Sequence, residues 1–193
     1  MPVRILTAGS SQSLFQDTGP VSDTFRRLLR ALRAAAVPHV LVGAAALRAY
    51  GLSAEQTPGA GLFEVVLCSG DVERFRAEVL LGEFRLLPGQ RTRLYDPLTQ
   101  VEVDLIDAAT PVRDPLLAAA GLKLPDPRAA VEIELTPVPP VEQMVEWLLG
   151  RGASGDRGRV AELVKAQRLD AAFVQRLQPA VRGLFVQIGG QTA

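Results

Sequence analysis

The stretch HVLVGAAALRAYGL, residues 39 to 52, constrains the fold more than any other part of the chain. His39 to Val42 is too short for a buried helix and reads as a buried strand, Gly43 as the turn, and Ala44 to Tyr50 as a short helix closed by Gly51. A strand that passes straight into a helix cannot bury both elements alone, so a sheet must receive it. Leu62 to Cys68, in LFEVVL and the cysteine after it, supplies a second, strongly apolar strand. Between the two, residues 53 to 61 read as loop.

Upstream, Phe25, Leu28, Leu29, Leu32 and Ala36 recur at helical spacing and define an amphipathic helix that Pro38 ends. Arg26, Arg27, Arg30 and Arg33 lie largely off that stripe, and Ser22 or Asp23 is available as its cap. Downstream, Asp71 to Leu81 reads as a helix packing Val72, Phe75, Val79 and Leu80. Shorter strands are expected at 84–87 and 92–95, on either side of a turn at PGQ. In QVEVDLID, residues 100 to 107, Val101, Val103 and Leu105 face one side while Glu102, Asp104 and Ile106 face the other. AVEIELTPVPP gives one further strand closed by prolines, and from Val141 onward the pattern is helical. The expected fold class is α/β (α+β), a small mixed sheet flanked by helices with a small helical C-terminal part. Residues 1–20 are expected to form a loose arm, 21–137 the α/β core, and 138–193 the helical subdomain.

The 193 residues, 48% of them hydrophobic, are enough to bury one generous core. A single cysteine, Cys68, excludes an internal disulfide, and one histidine, His39, excludes a Cys/His zinc set. Any metal must therefore sit on carboxylates. No run of 18 apolar residues and no secretory leader is visible, so no membrane partner and a cytoplasmic location are expected. Basic and acidic residues balance at 21 each, which argues against a nucleic-acid footprint over the whole molecule. The distribution is uneven, with six bases against three acids over 1–60, eight against fifteen over 61–146, and seven against three beyond.

The order helix, HVLVGAAALRAYGL, a loop containing Thr57, LFEVVL, VEVDLID and then the helical RGASGDRGRVAEL resembles the minimal nucleotidyltransferases of the DNA polymerase beta superfamily, including their abortive-infection toxin relatives. The resemblance spans about residues 22 to 185. It implies transfer of a nucleoside monophosphate from a Mg2+-bound nucleoside triphosphate to an acceptor hydroxyl on RNA, protein or a small molecule. Two such metal ions need closely placed carboxylates, and magnesium tolerates little departure from octahedral geometry. Carried over residue by residue, Gly43 matches the first position of the family's phosphate-facing turn and Ala44 the second, where only a backbone N–H remains, with Thr57 in the loop beyond. Leu62 falls at the first carboxylate, Glu64 at the second and Asp104 at the third; a register counted from Thr57 instead places Gly59 and Gly61 at the first two. In the helical tail Arg151, Asp156 and Arg157 match the family's charged pattern, and Arg159 stands where an acid is usual.

Glu64, Glu102 and Asp104 converge on one metal only if the two strands are neighbours. Otherwise Glu102 and Asp104 decorate the wet face of a strand. The implied functions are a nucleotidyltransferase with an altered carboxylate set, a catalytically silent relative that binds nucleotide, nucleic acid or protein, and a toxin-antitoxin-type component that acts with a partner protein. His39 reads as hydrogen-bonded structure and Cys68 as a small buried hydrophobe.

Overall fold

The computed structural model describes residues 18–53, 61–80 and 82–189. Helix α1 (Pro20–Ala34) starts earlier than the sequence suggests, because Pro20 occupies its first turn, where the missing N–H costs nothing. Ser22 and Asp23 consequently lie inside the helix and do not cap it; Asp23 accepts a hydrogen bond from Arg26 instead (2.5 Å). Strand β1 (His39–Val42) runs into α2 (Gly43–Ala49), which Gly43 itself opens with φ +63°. Next come β2 (Leu62–Leu67), α3 (Asp71–Leu80), β3 (Arg85–Leu86), β4 (Arg93–Tyr95) and β5 (Glu102–Asp107). The loop expected at 53–61 and the arm expected at 1–20 fall mainly outside the described residues.

These strands form one five-stranded mixed sheet in the order β1-β2-β5-β4-β3. Only β2 and β5 run parallel; their register sets Leu62 opposite Glu102 and Glu64 opposite Asp104. The helix between them supplies the crossover that a parallel pair requires. Side-chain alternation then sorts the two faces. Leu41, Phe63, Val65, Leu67, Val103 and Leu105 are buried under α1 and α3, together with Phe25, Leu28 and Phe75.

Val40, Val42 and Val66 point to the opposite face, and here the C-terminal half of the chain packs. Helix α4 (Pro115–Ala119) is capped by Asp114, whose Oδ1 accepts from Leu116 N (2.9 Å). The segment expected to give one strand after residue 129 instead makes two, β6 (Val131–Ile133) and β7 (Thr136–Val138), paired as a hairpin. Its turn places Glu134 and Leu135 at φ +48° and +65°, a conformation usually taken by Asn-Gly, so the residues carry no turn signal. Helices α5 (Val141–Arg151), α6 (Asp156–Gln167) and α7 (Pro179–Gly189) complete the layer, with Met144, Leu148, Val160, Leu163 and Val181 fully buried. This helical part shares a continuous apolar core with Val40, Val42 and α2. Among the described residues no helix is long and apolar enough to cross a membrane.

Candidate functional site

On the face that carries the C-terminal helices, the first residues of β2 and β5 are half-buried, Leu62, Glu64, Glu102 and Asp104 among them. Period-2 alternation puts Leu62 and Glu64 of β2 beside Glu102 and Asp104 of β5 there. The two strands lie next to each other in the sheet, so Glu64 and Asp104 are direct cross-strand neighbours. Strand β4 adds Arg93, which pairs in register with Asp104. A cleft of about 290 Å³ opens beside them, with Glu64 and Asp104 on the sheet side, Thr110 and Arg113 on the loop after β5, and Trp147 and Arg151 on α5.

The loop wall is brought close by Gly150. A Cβ at that position would sit 2.8 Å from Leu122 Cδ2 and 3.1 Å from Val112 Cγ1, so glycine lets this segment press on α5 without displacing either side chain. The backbone joins them as well, Asp114 N donating to Gly150 O at 3.1 Å.

Helix α5 ends at Arg151 because Gly152 takes the left-handed conformation, φ +60°. The guanidinium thus sits at the end of the helix, where it reaches both the sheet and α6. Its Nη1 donates to both oxygens of Glu64, at 3.3 and 3.2 Å. Its Nε and Nη2 donate to the two oxygens of Asp156, at 3.0 and 2.7 Å, the bidentate arrangement that favours arginine over lysine. Asp156 is 2% exposed and also accepts from Arg159 Nη1 (2.8 Å) and Ala153 N (3.0 Å). On the other strand Arg93 Nη2 lies 3.5 Å from Asp104 Oδ2, and its Nη1 lies 3.7 Å from Glu102 Oε2.

Burial pushes the Glu64 carboxyl above the ordinary carboxylate range; Arg151 pulls against this and the neighbouring Asp104 adds to it. For Arg151, burial works against the charge, but Asp156 and Glu64 outweigh it and hold the guanidinium firmly protonated.

Gly43, the first residue of α2, meets this network just past the end of β1. Its φ of +63° is strained for any residue with a side chain, and a Cβ would fall 2.0 Å from Glu64 Oε2. The ground over the turn expected to face phosphate is thus held by the Glu64 carboxylate. Gly43→Ala should destabilise the fold by roughly 2–5 kcal/mol, the sum of a left-handed alanine and a displaced Glu64. Chemical denaturation checks it, and Glu64→Gln in the same chain, which weakens the displaced pair, should reduce the loss. A loss of only about 1–2 kcal/mol, that of the left-handed alanine alone, left unchanged by Glu64→Gln would show that Glu64 swings away at no cost.

Of the residues singled out in the sequence, Gly43, Ala44, Glu64, Glu102 and Asp104 therefore meet at one end of the sheet. Thr57 and Gly59 lie outside the described residues, and Gly61 precedes β2, its carbonyl accepting from Glu102 N (3.0 Å). Leu62 shares the face but offers no ligand atom. Arg157 is exposed, whereas Arg159 is engaged with Asp156. His39 donates through Nδ1–H to Val37 O (2.8 Å), and burial lowers its pKa. Cys68 is buried.

Arg93, Arg113, Trp147 and the contact between Arg151 and Glu64 are new to the site. No local pattern marks them, because each depends on strand register or on how α5 crosses the sheet. No protein-family model matches this chain, and no similar protein is found among curated ones.

Proposed function

We propose that this chain is a nucleotidyltransferase-like domain that binds a nucleotide in its cleft and has lost metal-dependent transfer. The support begins with the arrangement the resemblance implies: Glu64 and Asp104 as neighbours on parallel strands, with Gly43 beside them. One observation turns the reading from enzyme to binding module. The Arg151 guanidinium contacts both oxygens of Glu64.

A pair of magnesium ions does not fit this donor set. Leu62 stands at the first carboxylate, Glu64 is engaged by Arg151, and Arg93 lies against both Asp104 and Glu102. Two-metal transfer needs open carboxylate oxygens bridging the ions, and a hard cation would have to expel an arginine from each acid. No catalytic step is therefore assigned to a metal here.

Binding has its own support. Arg113 stands exposed at the cleft edge and has no ion pair among the described residues, Thr92 and Thr110 offer hydroxyls, and Trp147 gives an aromatic wall. Such a mixture suits a ligand that carries an anionic group, with Trp147, 6% exposed and lying 5.8 Å under the Arg151 guanidinium, backing the cleft.

Trp147 is the only tryptophan in the chain, so its emission reports what enters the cleft. Titration with each nucleoside triphosphate should give a saturable change whose midpoint shifts less than about threefold when magnesium is replaced by a chelator. The same mixtures, supplied with RNA and protein acceptors and an α-labelled triphosphate, should show no transfer of label. Magnesium-dependent transfer by the purified chain would overturn the loss of activity. A flat titration with every nucleotide would overturn the binding.

A further inference from the structure

The charges at the cleft are fixed in a continuous chain. Glu64, Arg151, Asp156 and Arg159 alternate in sign from β2 through the end of α5 into α6, each joined to the next by hydrogen bonds of 3.3 Å or less. We propose that Arg151 is the resident cation of this cleft: a tethered guanidinium does the neutralising that a divalent ion would otherwise do, and the folded chain is indifferent to divalent cations there.

Three features of the geometry carry this. First, Nη1 straddles the two Glu64 oxygens at nearly equal distances, 3.3 and 3.2 Å, so one positive group serves the whole carboxylate. Secondly, the guanidinium is aimed. Asp156 grips the opposite edge of its plane through Nε and Nη2, and Asp156 is itself held by Arg159 and the Ala153 N–H. Thirdly, neither partner is well solvated, the side chains of Arg151 and Glu64 being 14% and 17% exposed.

A divalent ion approaching Glu64 would have to displace Nη1 and leave a largely buried guanidinium without one of its two carboxylates. Breaking such a pair is costly. Arginine also stays charged at every accessible pH, and its charge, being covalently attached, does not depend on ion concentration. Without Arg151, Glu64 would face Asp104 across the strand pair with no countercharge on its own side.

The inference concerns the chain free of ligand, so it stands or falls apart from nucleotide binding. Thermal melts of the natural chain, Arg151→Met and Arg151→Met/Glu64→Gln, each in chelator and in millimolar Mg2+ or Mn2+, test it. The natural chain should melt within about 1 °C in all conditions. Arg151→Met should melt roughly 6–15 °C lower. Adding Glu64→Gln should recover part of that loss, because one of the two carboxylates that Arg151 serves is removed while Asp156 keeps Arg159 and the Ala153 N–H; a merely space-filling role for Arg151 would give no such recovery.

Arg151→Lys keeps the charge but not the bidentate grip on Asp156. It should fold, lose less than Arg151→Met, and remain indifferent to both ions. A natural chain that gains several degrees from either ion, an Arg151→Met variant that melts like the natural chain, or a double variant that recovers nothing would each overturn the proposal.

Discussion

Replacing Asp96 by alanine should lower the unfolding free energy by about 3–5 kcal/mol, the cost of stripping one partner from a buried ion pair. Asp96 is fully buried in the turn between β4 and β5. Its Oδ2 accepts from Thr24 Oγ1 (2.9 Å) and from Arg27 through Nε (2.8 Å) and Nη2, while Oδ1 accepts from Leu98 N (2.9 Å). One carboxylate thus ties α1 to the hairpin. Without it, Arg27, 18% exposed, keeps among the described residues only Glu83 at 4.0 Å as an ion-pair partner. Burial alone would raise the Asp96 carboxyl, but the bonds from Arg27, Leu98 N and Thr24 hold it below its ordinary 3.8.

A carboxyl lowered in the folded state adds stability that is fully present above its unfolded value and disappears as pH falls through its folded value. The gap between the natural chain and Asp96→Ala should therefore be constant near neutrality and close only in acid, below about pH 4. Denaturant titrations at several pH values check both parts. A loss under 1 kcal/mol at pH 7, or a gap that widens in acid, would contradict the assignment. The site is involved as well, because this hairpin sets Arg93 against Asp104.

Asp156→Ala should cost a similar amount, about 3–5 kcal/mol, through the other end of the molecule. Asp156 is 2% exposed and accepts four hydrogen bonds, from Arg151 Nε and Nη2, Arg159 Nη1 and Ala153 N. Its loss strands Arg159 and releases Arg151 to reorient, so the ion pair with Glu64 should weaken with it. The two losses should then be coupled. In a double-mutant cycle, Asp156→Ala and Glu64→Gln should together cost at least 0.5 kcal/mol less than their sum, as expected for groups in one network. Additive losses would show that Asp156 merely caps the turn before α6 and does not aim Arg151.

The sheet was legible where side-chain periodicity was strong. The 3.6-residue stripe of α1 from Phe25 to Leu32, the apolar β2 and the alternation of β5 each translate directly into a buried face, whereas Ala36, expected on that stripe, lies beyond the helix at φ +49° and is exposed; the segregation of Glu102 and Asp104 from Val101, Val103 and Leu105 follows from period 2 alone. The β6–β7 hairpin was not legible, because its turn residues, Glu134 and Leu135, take positive φ without glycine or asparagine. Nor was the early start of α1, where Pro20 replaces a side-chain cap.

At the site, the meeting of Glu64 with Asp104 depended on β2 and β5 being adjacent, which residues 62–67 and 102–107 do not themselves state. The arginines were hidden for a similar reason. Arg93 reaches Asp104 through antiparallel register with β4, and Arg151 reaches Glu64 across 87 residues of sequence, at the point where Gly152 stops α5. Charge composition, 21 bases against 21 acids, allows such pairs. It does not show which arginine meets which acid.

Diffraction from crystals of the natural chain grown with Mn2+ and a nucleoside triphosphate, collected at a wavelength where manganese scatters anomalously, tests the central claim most directly. The account predicts nucleotide density in the cleft beside Trp147, Arg151 Nη1 within hydrogen-bond distance of both Glu64 oxygens, and no anomalous peak between Glu64 and Asp104. A manganese peak bridging those two carboxylates, with Arg151 turned away, would contradict it and restore the transferase reading.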